Sequence, residues 1–222
     1  MKKTKTEIKR IFREGMRDGM PIGLGYFAVA FSLGIAARAA GLSVTAATLA
    51  SLLCNASAGE YAGFTVIAAN ASYIEMAAIT LVANARYILM SCAMSQRFSP
   101  DTRTVHRLIM GFDTTDELFG IAMARPGALE PAYTYGAMLV SVPLWAAGTA
   151  LGTAAGSILP DAVVTALGVA LYGMFLAIII PPARRDRVIC GTVAVSFAAS
   201  FAMSRLPLVS AISQGKRTAI LT

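Results

Sequence analysis

Five uncharged runs constrain this chain more than any other feature. Residues 19–37, 39–59, 131–160, 162–183 and 188–204 contain no Asp, Glu, Lys, Arg or His. Each is close to the roughly 20 residues with which an α-helix crosses a hydrocarbon core. The runs do not alternate apolar with polar residues, which argues against a transmembrane β-barrel. A hydrophobic content of 56%, with 14% charged residues and a mean hydropathy of +0.65, fits the same class. The expected fold is an all-α integral membrane protein, a polytopic helical bundle of about five to seven spans. It forms one transmembrane domain over residues 19–222, with no Pro-rich or Gly/Ser-rich linker to divide it, behind a basic arm over 1–18.

The net charge of +7 is not a nucleic-acid footprint, because of where the charge lies. Residues 1–17 hold seven of the 19 basic residues (Lys2, Lys3, Lys5, Lys9, Arg10, Arg13 and Arg17) against Glu7 and Glu14. Such a segment before a first span stays on the cytoplasmic side. Ile8, Ile11, Phe12 and Met16 recur at helical spacing, which predicts an arm lying on the lipid headgroups. The apolar run from Met20 to Ala37 is long for a signal peptide, and Arg38 interrupts the A-x-A at Ala37–Ala39, so the segment is expected to be retained. The same charge rule bears on topology. If 43–70 and 104–125 both crossed fully, the basic groups from Arg97 to Arg107 and from Arg184 to Arg187 would fall outside. If both dip in and return, those groups become cytoplasmic. Two discontinuous or re-entrant segments are therefore expected, and broken backbone at membrane depth is tolerated where it lines a cavity or is covered by protein.

Few catalytic chemistries can be assembled. Cys54, Cys92 and Cys190 have neither C-x-x-C nor ligand spacing and read as small buried hydrophobes. His106 is the one histidine, in a polar connection beside Arg103 and Arg107, and reads as solvated. There is no G-x-S-x-G, no H-E-x-x-H and no phosphate loop. No enzyme, metal or cofactor is expected.

Charges at membrane depth carry the functional signal, since they usually face a pathway or a partner. "NASAGEYAG" interrupts the second apolar stretch and places Glu60 at its break. A third helix, about Ser72 to Gln96, carries Glu75 and Arg86 eleven residues apart, near one face but too distant to pair. Glu60 is then the nearest candidate partner for Arg86 in sequence. Asp113, Asp116 and Glu117, at i, i+3 and i+4, read as an acidic stripe on one helix, either solvated or facing the pathway. Gly23, Gly25 and Gly34, and the ladder Gly148, Gly152 and Gly156, mark faces suited to close helix packing, internal or with a partner subunit. "AAGLSVTAATLASLL" at 39–53 and "AAGSILPDAVVTALGVAL" at 154–171 hint at an internal repeat, although Ala-rich helices also resemble one another by composition.

The succession "GMRDGMPIGLGYFAVAFSLGIAARAAGLS", "GEYAGFTVIAANAS", "NARYILMS" and "DELF" resembles the AzlC family of branched-chain amino-acid permeases over nearly the whole chain. Glu60 and Tyr61 stand where many relatives have Gln-Phe. The chain ends at "GKRTAILT", where relatives continue through a last apolar helix, so that helix is expected to be short or missing. The resemblance implies export of Leu, Ile, Val and analogues across the cytoplasmic (inner) membrane of a bacterium. It also implies a small hydrophobic AzlD-like membrane subunit as partner, in an assembly that could be a higher oligomer.

A zwitterionic substrate needs a cation or helix N-terminus, an acid or carbonyls, and an apolar pocket. Arg86 and the backbone of Asn70–Ser72 are candidates for the carboxylate, Glu60 or Asp113 for the ammonium, and Tyr61, Phe64 and Tyr87 for the pocket, with Asn84 in the same motif as Arg86. Glu75, Asp116 and Glu117 are candidates for coupling or charge relay. Two other classes remain open: a channel or permease for another small solute, and a non-transporting membrane scaffold.

Overall fold

The computed structural model describes residues 4–156 and 186–204, with isolated positions (158, 160, 162, 180, 183 and 184) between them. Nine helices follow one another among these residues, and no strand does. They are α1 (Lys5–Ala39), α2 (Val44–Cys54), α3 (Ser57–Ala68), α4 (Tyr73–Ala83), α5 (Arg86–Ser95), α6 (Thr104–Phe112), α7 (Asp116–Ala124), α8 (Pro131–Ala155) and α9 (Arg187–Ser204). The expected span at 161–183 and the second half of the suspected repeat lie outside the described residues, as does the C-terminal tail.

Two helices, α1 and α8, are long and apolar enough to cross a membrane unaided. The pair α4 and α5 qualifies as one span bent by 52°, and α2 and α9 are shorter apolar helices. Helix starts follow from local chemistry. Thr4 and Glu7 close a capping box on α1, Ser72 and Glu75 another on α4, Ser43 and Thr115 cap α2 and α7 through their hydroxyls, and Pro131 opens α8. The basic arm does not lie apart from the first span: Lys5–Ala39 is one helix. Its 35 residues run about 52 Å, well beyond a hydrocarbon core of about 30 Å.

The frame is the pair α1 and α8, and glycine brings the two backbones together. A Cβ on Gly15 would lie 2.0 Å from the Tyr133 carbonyl oxygen, on Gly34 2.3 Å from that of Thr149, on Gly136 2.0 Å from that of Phe12 and on Gly152 2.0 Å from that of Phe31. The ladder at Gly148 and Gly152 thus packs inside the chain, against Phe27 and Phe31 of α1. Thr153 Oγ1 adds a hydrogen bond of 3.0 Å to the Gly34 carbonyl. Tyr26, Ala30, Leu33, Ala37, Ala47, Phe64 and Trp145 form the main core where α2 and α3 lean on this frame.

The structure corrects several expectations. Residues 72–96 are not one helix: the chain breaks at Asn84–Ala85, so the shared face inferred for Glu75 and Arg86 does not exist. Asp113, Asp116 and Glu117 are not a stripe either, because α6 ends at Phe112 and α7 begins at Asp116. Cys92 and Cys190 are exposed and Cys54 is half-buried, so the three are not buried hydrophobes as a group. His106 Nδ1 lies 2.7 Å from Tyr135 Oη, so it is held by a partner on α8.

Candidate functional site

Three helix breaks meet beside Tyr26 and Trp145. The first is Asn55–Ala56, between α2 and α3, where Asn55 adopts φ 43°, ψ 41°, a left-handed conformation that Asn tolerates better than most side chains. The second is Asn84–Ala85, and the third is Asp113–Thr115. Each break is bound to another. Asn55 Nδ2 donates to Asp113 Oδ1, joining the first to the third. Arg86 Nη2 lies 3.1 Å from Asp116 Oδ2, joining the second to the third. Gly59 lets α3 approach the second, since a Cβ there would lie 2.5 Å from Asn84 Nδ2.

Aromatic and hydroxyl groups of the long helices close the junction. Tyr26 Oη donates to Glu117 Oε2 at 2.8 Å and also hydrogen-bonds Thr115. The Tyr26 and Trp145 rings stack edge to face with centroids 5.1 Å apart. Trp145 Nε1 donates to Glu60 Oε1 at 2.9 Å, and Ser51 Oγ donates to Glu60 Oε2 at 3.1 Å while lying 2.7 Å from Thr149 Oγ1. Glu60 is therefore deeply buried, 3% exposed, yet both its oxygens are engaged. A buried carboxylate without such donors would be strongly disfavoured.

The residues singled out from the sequence fall into four groups. Glu60, Asn84, Asp113, Asp116 and Glu117 all belong to the junction. Arg86 stands at its rim, the first residue of α5, with its side chain 42% exposed and Tyr87 Oη 3.4 Å from Nη2. Its partner is Asp116 and not Glu60, because the break after α4 turns it toward α7. Phe64 is built into the main core, with Tyr61 half-buried against the same cluster. Glu75 sits at the other end of α4 from Asn84, where its Oε2 accepts from Ser72 N at 3.1 Å. Sequence reasoning missed Tyr26, Ser51, Asn55, Trp145 and Thr149. A lone indole N–H in the middle of an apolar helix was the available signal, since it must find an acceptor there.

A family model described as AzlC protein matches residues 21–159, the stretch that contains all three breaks, Tyr26 and Trp145. The chain belongs to the AzlC family. It is 34% identical over 193 residues to an uncharacterized membrane protein of Archaeoglobus fulgidus, an alignment that covers 84% of each chain. It is 28% identical over 192 residues to the inner membrane protein YgaZ of Escherichia coli, covering 83% of this chain and 78% of that one. An uncharacterized membrane protein of Helicobacter pylori is 25% identical over 155 residues, covering 68% and 67%. No solved structure matches. This AzlC-family chain is accordingly a helical membrane protein, consistent in kind with a transporter or permease.

Proposed function

We propose that this AzlC-family protein exports branched-chain amino acids across the cytoplasmic membrane, as the large subunit beside a small hydrophobic partner, by transport alone and without a cofactor. In this reading it has about five to seven spans, with the N-terminus cytoplasmic. The seven basic residues of the arm and the inner-membrane name of the Escherichia coli relative support that placement.

One observation carries the substrate class: a cation, buried acids and an apolar core converge where three helices are broken. Arg86 already holds a carboxylate, that of Asp116, at 3.1 Å, and the carboxylate of an incoming amino acid is a chemical equivalent that exchanges with it. Asp113 and Glu60 offer acidic oxygens for the ammonium. Tyr61, Tyr87 and the Phe64 cluster supply apolar surface for an aliphatic side chain. Broken helices packed into a bundle expose backbone groups to a ligand in a way that continuous helices do not.

The test is efflux from cells loaded with leucine-containing dipeptides, expressing this chain with and without the small partner subunit. Saturable, stereoselective efflux that needs the partner and is strongly weakened at low substrate in Arg86→Ala supports the proposal. Efflux of none of Leu, Ile or Val from a correctly inserted, partnered chain sinks it.

A further inference from the structure

The contact between Asn55 and Asp113 is incomplete. Asn55 Nδ2 donates to Asp113 Oδ1, while Asn55 Oδ1 and Asp113 Oδ2 are buried with no hydrogen-bond partner among the described residues. The two side chains are only 4% and 1% exposed. Two acceptor oxygens are thus left over on a pair of planar groups whose other arms are already joined, and the missing element is one hydrogen.

No described cation supplies charge to Asp113 either. Across the second break, Arg86 is engaged by Asp116. On α6 itself, Arg107 donates to the carbonyls of Ser99 and Thr102, and His106 is bound to Tyr135. The titratable groups that the structure places around the junction, Tyr26 of α1, Cys54 and Glu60 of the first break, Tyr87 of α5 and Glu117 of α7, are neutral or acidic. An ionised carboxylate so placed is strongly disfavoured and is relieved by neutralisation.

We propose that Asp113 is a proton-binding site and that its proton latches the first and third helix breaks together. Protonated, Asp113 has an O–H to donate and Asn55 Oδ1 accepts it, so the acid and the amide close with two hydrogen bonds in place of one. Release breaks the Asp113 O–H bond and passes the proton to water that enters as the breaks part. The carboxylate left behind has no hydrogen to give the amide oxygen of Asn55, and the second bond of the latch is lost. On the exporter reading, and resting on it, that freed carboxylate is what takes the substrate ammonium, so proton and amino acid alternate at one residue.

Infrared spectroscopy of the full chain in lipid vesicles tests the site without any transport measurement. The expected spectrum at neutral pH has a carboxylic-acid C=O band that is lost in Asp113→Asn, retained in Glu60→Gln, and shifted in Asn55→Ala, where Asp113 is kept but its partner is gone. A spectrum unchanged by both Asp113→Asn and Asn55→Ala overturns the proposal. If Asp113→Asn does not fold, an Asn55→Ala spectrum identical to that of the parent chain overturns it alone. A band that vanishes on adding sodium chloride at fixed pH, and not with potassium chloride, also overturns it, in favour of a metal cation. Retention of the expected bands in a chain that exports no amino acid would leave the proton site standing and remove the exporter reading only.

Discussion

Arg86 Nη2 and Asp116 Oδ2, 3.1 Å apart, tie the break after α4 to the start of α7 at the rim of the junction. The two residues play opposite parts toward a substrate carboxylate. Arg86 is the group that would bind it, and Asp116 is the group already bound in its place. Arg86→Ala should raise the half-saturating substrate concentration at least about tenfold, equivalent to losing on the order of 1.4 kcal/mol of binding. Asp116→Asn, which removes the internal competitor and keeps the shape, should lower it. Concentration-dependent efflux from the two variants checks both, and a rise in both would show that Asp116 positions Arg86 and does not compete with substrate.

Packing of α1 on α8 predicts a sharp difference among glycines. Gly34→Ala, Gly136→Ala and Gly152→Ala each set a methyl within about 2.0–2.3 Å of a backbone oxygen, so the helices must separate. The cost of such overpacking is typically about 1–3 kcal/mol and is higher where backbone must yield. Gly25→Ala and Gly63→Ala meet nothing within 4 Å and should be neutral, or stabilising by up to about 1 kcal/mol through helix propensity. Thermal unfolding in detergent should show lowered Tm for the first set and not for the second.

How much of this was legible follows from what each residue's signal depends on. Uncharged runs depend on local composition alone, so the membrane class, α8 and the 19–37 part of α1 were readable directly. The break at "NASAGEYAG" was foreshadowed by weak helix formers and a discontinuity within 104–125 by the distribution of positive charge, although Asp113, Asp116 and Glu117 read there as one helical stripe; α2/α3 and α6/α7 are interrupted in these segments. The break at Asn84 was not foreshadowed: Ala83, Asn84 and Ala85 carry neither Gly nor Pro, and about Ser72 to Gln96 read as one helix. Missing it misplaced Arg86 and hence its partner. Asn55–Asp113, Tyr26–Glu117 and Trp145–Glu60 join residues 58, 91 and 85 positions apart, and no local pattern specifies such pairs. Gly15, which packs on Tyr133, lay in the segment read as an interfacial arm.

Trp145 is the one tryptophan of the chain, which makes the Glu60 site visible by fluorescence. Glu60→Leu would leave the indole N–H and the Ser51 hydroxyl without their acceptor, at about 1–3 kcal/mol for each buried group left unsatisfied. Glu60→Gln keeps an oxygen for Trp145 and should cost much less. The expected result is a lowered Tm and an altered Trp145 emission maximum in Glu60→Leu, with Glu60→Gln close to the parent. Equal loss in both would mean that the carboxylate charge, and not the acceptor, is what the junction requires.

The connection between α7 and α8 is held from outside by a single guanidinium. Arg97 donates Nε to the Gly127 carbonyl at 3.0 Å and Nη2 to the carbonyls of Arg125 and Gly127 at 2.6 Å each, while Leu129 N donates to the Arg97 carbonyl at 2.8 Å. Arg125, so placed, reaches Glu14 at 3.0 Å and lies 4.2 Å over the Tyr133 ring, and Tyr133 Oη donates to Asp18 at 2.7 Å. The turn thereby fastens α7 to the early turns of α1, at the opposite end of α7 from the Tyr26 contacts. A lysine cannot reproduce a fork that donates to two carbonyls at once. Arg97→Lys should therefore behave much like Arg97→Ala. Both should lose roughly 1.5–3 kcal/mol of local stability, the usual worth of a hydrogen bond to a charged group. Hydrogen exchange should accelerate at residues 125–130 in both variants. Protection there that survives in Arg97→Lys would mean that a positive charge alone holds the turn, and that the geometry of the fork is dispensable.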